Sequence, residues 1–270
     1  MKGVSIPLSA PRRFLGDLLH FASRIPTVPV QRRMHLAQVV AARAAAADRP
    51  GWPAVFLKAY ARVAAQVPEL RRAHVALPWP HLYEYPASVA GVAVERDYRG
   101  EKAVFFGRIA RPDELPLAEI EARLRALVDS PIEQVRTFRK MLRFAGLPRP
   151  LRRFLMWLGL NLPRLRPSHF GTFGLSVYSS LGAESLHPLG PLTTTLTYGV
   201  IAPDGAVDVR LVYDHRVLDG AVVARVLARL EDELTGAVYE ELRAMARPAT
   251  EPAPAPPVAV GASPGRTRAA

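Results

Sequence analysis

The chain has 270 residues, 49% of them hydrophobic and 22% charged, with a formal charge of +12. It is long enough to bury a core as one large domain or two small ones, and most of it is too apolar to be disordered. With no cysteine, disulfide scaffolds, zinc fingers, iron–sulfur clusters and thiol nucleophiles are excluded.

The opening residues lack the apolar run and small-residue cleavage site of a signal peptide. The most apolar stretch, 154–162, would span only about 14 Å as a helix, under half of a bilayer core. A cytoplasmic protein without a membrane span is therefore expected. Apolar periodicity predicts helices over 34–47, 53–66 and 116–128. In the last of these, Leu117, Ile120, Leu124, Leu127 and Val128 share a face, and Pro116 suits a first helical position. Short strands over 90–96 and 102–109 flank a turn at 97–101, and further strands are expected at 172–179, 194–202 and 206–213. The last two are joined through Pro203-Asp204-Gly205, a good hairpin turn. Val207, Val209, Leu211 and Tyr213 alternate with Asp208 and Arg210, as a strand with one buried face requires. A final helix starts just after Gly220, with Val223, Val226, Leu227, Leu230 and Leu234 as its apolar stripe. Without a clean βαβ rhythm, the pattern favours an α+β fold, a mixed sheet covered by helices.

Charge is concentrated in one place. Between Glu133 and Glu184 there is no acidic residue, while Arg136, Arg139, Lys140, Arg143, Arg149, Arg152, Arg153, Arg164 and Arg166 all fall there. A solvated basic face, an anionic membrane surface and a polyphosphate ligand are the alternatives. No nucleic-acid-binding signature accompanies the segment, so no nucleic-acid partner is expected. From Pro248 onward the chain is rich in proline and alanine without helical period, which predicts a disordered tail over 248–270 behind a single domain at 1–247.

The stretch Asp214-His215-Arg216-Val217-Leu218-Asp219-Gly220 leaves a strand and enters a helix, where side chains are held rigidly beside an open backbone. A histidine there can act as a general base, its ordinary pKa lying near neutrality. Asp219 can fix the loop through an arginine, and Gly220 allows a tight turn. On residue type alone, an Asp such as Asp219 is more often an N-cap, and an isolated histidine such as His215 is more often structural. No metal site is expected.

His215-x-x-x-Asp219-Gly220 resembles the motif of the chloramphenicol acetyltransferase-like superfamily. It is most similar to the catalytic domain of the dihydrolipoamide acyltransferases of 2-oxoacid dehydrogenase complexes. Gly171-Thr172-Phe173-Gly174-Leu175-Ser176 resembles that family's Gly-Thr-Phe-Thr-Ile-Ser strand. Arg12-Arg13 with Ile25-Pro26 resembles its opening helix, and Gln66-Val67-Pro68-Glu69-Leu70 the end of a later one. The likeness runs through about residues 12–240. It departs after Ser176, at Thr27, where the family commonly has histidine, and in the Arg-rich insertion 136–166.

The resemblance implies the two-layer fold of that superfamily and a coenzyme A-dependent acyl transfer without a covalent enzyme intermediate. His215 would deprotonate an acceptor thiol or hydroxyl, which attacks the thioester of acyl-coenzyme A. Ser176 would donate to the oxyanion, and Asp219 would pair with an N-terminal arginine, Arg13 in preference to Arg12. No tightly bound cofactor is implied: coenzyme A is a substrate, and a lipoyl group would come from another chain. A homotrimer or an assembly of trimers is implied, with the site between protomers. The alternative is a scaffold or binding protein that keeps the fold without the activity, possible at a membrane surface.

Overall fold

In the computed structural model, residues 3–246 are described; the tail expected at 248–270 lies outside them. The chain begins with helix α1 (Ala10–Ala22), started by the Ser9 side chain accepting from the Arg12 amide and by a proline in the first turn. Strand β1 (Thr27–His35) and helices α2 (Ala37–Ala45) and α3 (Trp52–Gln66) follow. The helix expected over 34–47 is thus corrected: Met34 and His35 end a strand, and the helix opens only after Leu36. A small hairpin, β2 (Arg72–Val75) with β3 (His81–Glu84), precedes the long hairpin β4 (Val89–Tyr98) and β5 (Glu101–Ala110), then α4 (Leu117–Asp129).

The Arg-rich segment is helical: α5 (Arg136–Ala145), α6 (Arg149–Asn161) and the single turn α7 (Arg166–His169). The remainder is β6 (Phe173–Leu175), β7 (Thr194–Tyr198), β8 (Ala206–Asp214), α8 (Gly220–Thr235) and α9 (Ala237–Ala244). The strands expected at 172–179 and 194–202 are therefore shorter than their apolar runs.

Six strands form one mixed sheet in the order β1-β8-β7-β6-β4-β5, with β6 parallel to both its neighbours and the other pairs antiparallel. This is an α+β architecture. One face packs on α3, α4 and α8, where Phe56, Tyr60, Phe105, Phe173, Leu196, Leu211 and Leu230 are buried. At the β5 end, the opposite face is covered by α1, α5 and α6 around Phe14, Phe106, Met156 and Leu160. β6 enters the sheet through Gly171, whose φ is +103° and whose added Cβ would lie 2.8 Å from the Val89 carbonyl oxygen. Only glycine fits such a left-handed, crowded position. Beside it, the Thr172 hydroxyl accepts from the Val89 amide at 2.9 Å.

Alternation in β8 does not leave one face wet. Arg210 and Asp214 are as buried as their apolar neighbours. Arg210 donates to Glu184 at 2.9 Å, so a paired charge replaces the expected solvent contact.

Candidate active site

His215 follows the last residue of β8, and its backbone amide donates to the Pro26 carbonyl at 3.0 Å, continuing the β1–β8 ladder by one residue. The imidazole is half exposed, at 49%, so it is reachable from solvent, and it leans toward Tyr213 with ring centroids 5.5 Å apart. Asp219 stands at the N-cap position of α8 but makes no capping hydrogen bond. Its nearest ionisable neighbour is His215, whose Nδ1 lies 3.8 Å from Oδ1, and its side chain is 83% exposed.

The loop is fixed by a different acid. Asp214 is buried and accepts from the Arg216 amide at 3.0 Å, from Arg216 Nε at 2.9 Å and from Arg216 Nη2 at 2.7 Å. This clamp of charge-assisted bonds brackets His215 on both sides. Thr193 braces it: its carbonyl accepts from the Asp214 amide at 2.8 Å and its hydroxyl donates to the Arg72 carbonyl. Burial and the Arg216 charge together lower the pKa of His74, on β2. Arg166 is buried nearby, its guanidinium donating to the carbonyls of His74, Leu160 and Pro191. Burial pushes its pKa below the ordinary value. Sequence reasoning gave the anchoring role to Asp219 and missed Asp214 and Arg216, although both lie in the motif. The signal was the Asp-x-Arg spacing, which lets one side chain fold back on the other.

Within one copy of the chain, among the described residues, neither Arg13 nor Arg12 reaches Asp219. α1 packs over β5 and α5, and Arg12 pairs with Glu101 at the start of β5. β8 and β5 are four strand steps apart, about 19 Å. Gly220 opens α8 with an ordinary φ, and an added Cβ would make only van der Waals contact with the Tyr213 hydroxyl at 3.4 Å. The turn therefore does not demand glycine there.

Ser176 lies just past β6, its amide donating to the Leu196 carbonyl at 3.1 Å. It lines a cavity of about 280 Å³ with Leu15, Ala93, Gly174, Leu192 and Thr195. Register places Ser176 beyond the Leu175–Leu196–Leu211 row, whereas His215 lies four residues beyond Leu211 in the other direction. Two strand spacings and five residues of rise separate them by about 20 Å. One copy of the chain thus carries the two groups at opposite ends of the sheet and does not bring them together. Near His215, Thr27 donates to or accepts from His187 Nε2 at 2.8 Å, a second imidazole that sequence reading did not place. Among the described residues no cluster of side chains could hold a metal ion, and no helix is long and apolar enough to cross a membrane.

No protein-family model matches the sequence, and a search of curated proteins finds no significant match. Solved structures do match. A dihydrolipoamide acetyltransferase from Azotobacter vinelandii superposes with a TM-score of 0.64 at 21% identity, over 90% of this chain and 94% of that one. A probable dihydrolipoamide acetyltransferase from Listeria monocytogenes gives 0.63 at 18% identity, over 86% and 94%. Chloramphenicol acetyltransferase gives 0.50 at 14% identity, over 87% and 100%. The chain has the fold of the chloramphenicol acetyltransferase-like acyltransferases. In the Azotobacter enzyme, a serine, a histidine and an asparagine four residues after the histidine have been investigated for their roles in the catalytic mechanism.

Proposed function

We propose that this protein is a cytoplasmic acyltransferase that moves an acyl group from coenzyme A to an acceptor thiol or hydroxyl, at a site completed between copies of the chain. The observation that carries this reading is the division of the site. A solvent-accessible His215, clamped by Asp214 and Arg216, ends one side of the sheet, and Ser176 beside a cavity ends the other. Both sit in a fold shared with acyltransferases. The Azotobacter spacing of histidine and asparagine equals that of His215 and Asp219.

His215 takes the acceptor proton. The thiolate or alkoxide attacks the thioester carbonyl, the Ser176 hydroxyl of a neighbouring copy donates to the resulting oxyanion, and the coenzyme A thiolate leaves and recovers the proton from His215. A lipoyl thiol borne by another protein is one such acceptor. No bound cofactor takes part, and the copies that close the site form a homotrimer, as the family likeness implies.

One specific observation favours the scaffold reading instead: Asp219 lies open to solvent without the arginine partner that the family likeness implies. Acyl-coenzyme A turnover, followed by release of the free thiol with dihydrolipoamide as acceptor, separates the two. His215→Ala should abolish turnover while light scattering shows an unchanged assembly. Equal turnover in wild type and variant would refute His215 as the base, and no turnover in wild type with any acyl group would favour the scaffold.

A further inference from the structure

The Arg-rich segment contributes a second cavity. α5, α6 and α7 enclose about 400 Å³ against α1 and β5, within the range of small-molecule sites. Its walls are mostly apolar, including Phe14, Met141, Phe144 and Met156, and methionine adapts readily to a flexible guest. It shares Phe14, Phe106, His169 and Phe170 with the Ser176 cavity but does not include Ser176.

Five polar side chains line this mostly apolar space: Ser168 and His169, both bonded to the Leu165 carbonyl, and Arg108 on β5 with Thr137 and Lys140 on one face of α5. Among the described residues neither Arg108 nor Lys140 has a carboxylate within ion-pair distance. The Thr137 hydroxyl oxygen is shielded from solvent and has no hydrogen-bond partner. Burial and the neighbouring Arg136 charge depress the Arg108 pKa, as a guanidinium without a counter-charge requires. Elsewhere in the segment, the buried arginines are compensated: Arg152 and the half-buried Arg153 share Asp17, and Arg166 is satisfied by carbonyls; Arg136, Arg139, Arg143, Arg149 and Arg164 are exposed to solvent. An uncompensated cation and a buried unpaired hydroxyl at the same apolar cavity call for an anion attached to an apolar body.

We propose that this cavity binds a single-chain anionic amphiphile, its alkyl chain among Phe14, Met141 and Met156 and its carboxylate or phosphate on Arg108, Thr137 and Lys140. The partly exposed Leu155 lies at the cavity and belongs to α6, which also presents exposed Leu151 and Phe154, a surface that an amphiphile can approach from lipid or from solution.

Calorimetric titration of the full chain with decanoate, decyl phosphate, decanol and acetate tests this directly. Decanoate or decyl phosphate should bind saturably with one site per chain, and whichever binds more tightly identifies the headgroup; acetate should not bind. Arg108→Gln should weaken the anionic ligands by about tenfold or more, because a charge-assisted contact is lost, and leave decanol unchanged. Since Arg108 makes no ion pair among the described residues, the variant should keep the wild-type melting temperature. Leu155→Trp, at the partly exposed rim, should weaken all three alkyl ligands. Anion binding that does not saturate, or that Arg108→Gln leaves unchanged, overturns the proposal. So does binding to phosphatidylglycerol vesicles that decanoate fails to compete, which would make the segment a membrane contact rather than a cavity site.

Discussion

Asp17 is the only acidic side chain among the described residues that meets the Arg-rich helices, and removing it should loosen their hold on the protein. Its carboxylate is 3% exposed and accepts from Arg152 Nε at 2.7 Å and Arg153 Nε at 3.2 Å. Arg152, 7% exposed, also donates to the Leu147 carbonyl at 2.8 Å. Asp17→Ala leaves that guanidinium buried and uncompensated, at a cost of about 3–5 kcal/mol. For a domain of this size, each kcal/mol shifts the melting temperature by about 2–4 °C, so a fall of about 6–20 °C is expected. Urea unfolding followed by circular dichroism measures the change in free energy, with Glu119→Ala as control. Glu119 pairs with Arg123 on the open surface of α4, where such pairs contribute about 0.3–0.5 kcal/mol. The double variant Asp17→Leu/Arg152→Met should recover most of the loss, because it removes both buried charges. If Asp17→Ala costs no more than the Glu119 control, the pair is solvated and the Arg-rich helices are not anchored through α1.

Two further changes probe the frame that carries the site. Gly205, at φ +83° in the hairpin turn before β8, lies so close to the Ala37 backbone that an added Cβ would be 2.3 Å from its amide nitrogen; Gly205→Ala should cost about 2 kcal/mol or more in urea unfolding. Glu184 is held below its ordinary value of 4.5 chiefly by the Arg210 hydrogen bond. Its contribution is therefore complete above that value and lost as pH falls through the lower folded one. The urea midpoints of wild type and Glu184→Gln should differ at neutral pH and converge below pH 4.5, and a gap that widens in acid would contradict the assignment.

The β4–β5 hairpin, the turn at Gly205 and the apolar stripe of α8 were all legible in the sequence, because each depends on neighbours close along the chain. β1 was not. It is an edge strand whose side chains, including Gln31, Arg32 and Arg33, are largely exposed, and Pro29 sits within it, so no alternation marks it as a strand. The Arg-rich segment read as a charged insertion, yet its helices dock through Asp17, a contact about 135 residues away in sequence. At the site, the position of His215 at a strand end was readable from the motif. The partner of Asp219 was not, because it depends on which strand α1 covers, and α1 lies at the far edge of the sheet.

The most direct test of a shared site is complementation between two inactive chains. His215→Ala removes the base, and Ser176→Ala removes an oxyanion donor whose loss slows turnover about 100- to 1,000-fold. In a ring of copies drawn from an equal mixture, about one junction in four pairs an intact His215 with an intact Ser176, since each junction takes the two groups from different chains. Co-expressed and purified through both tags in turn, which removes the unmixed rings, the mixed trimers each carry one intact junction in three and should recover about a third of wild-type turnover. Recovery no greater than the sum of the two variants alone would contradict the account, placing both groups at a site within one chain or neither at a site at all.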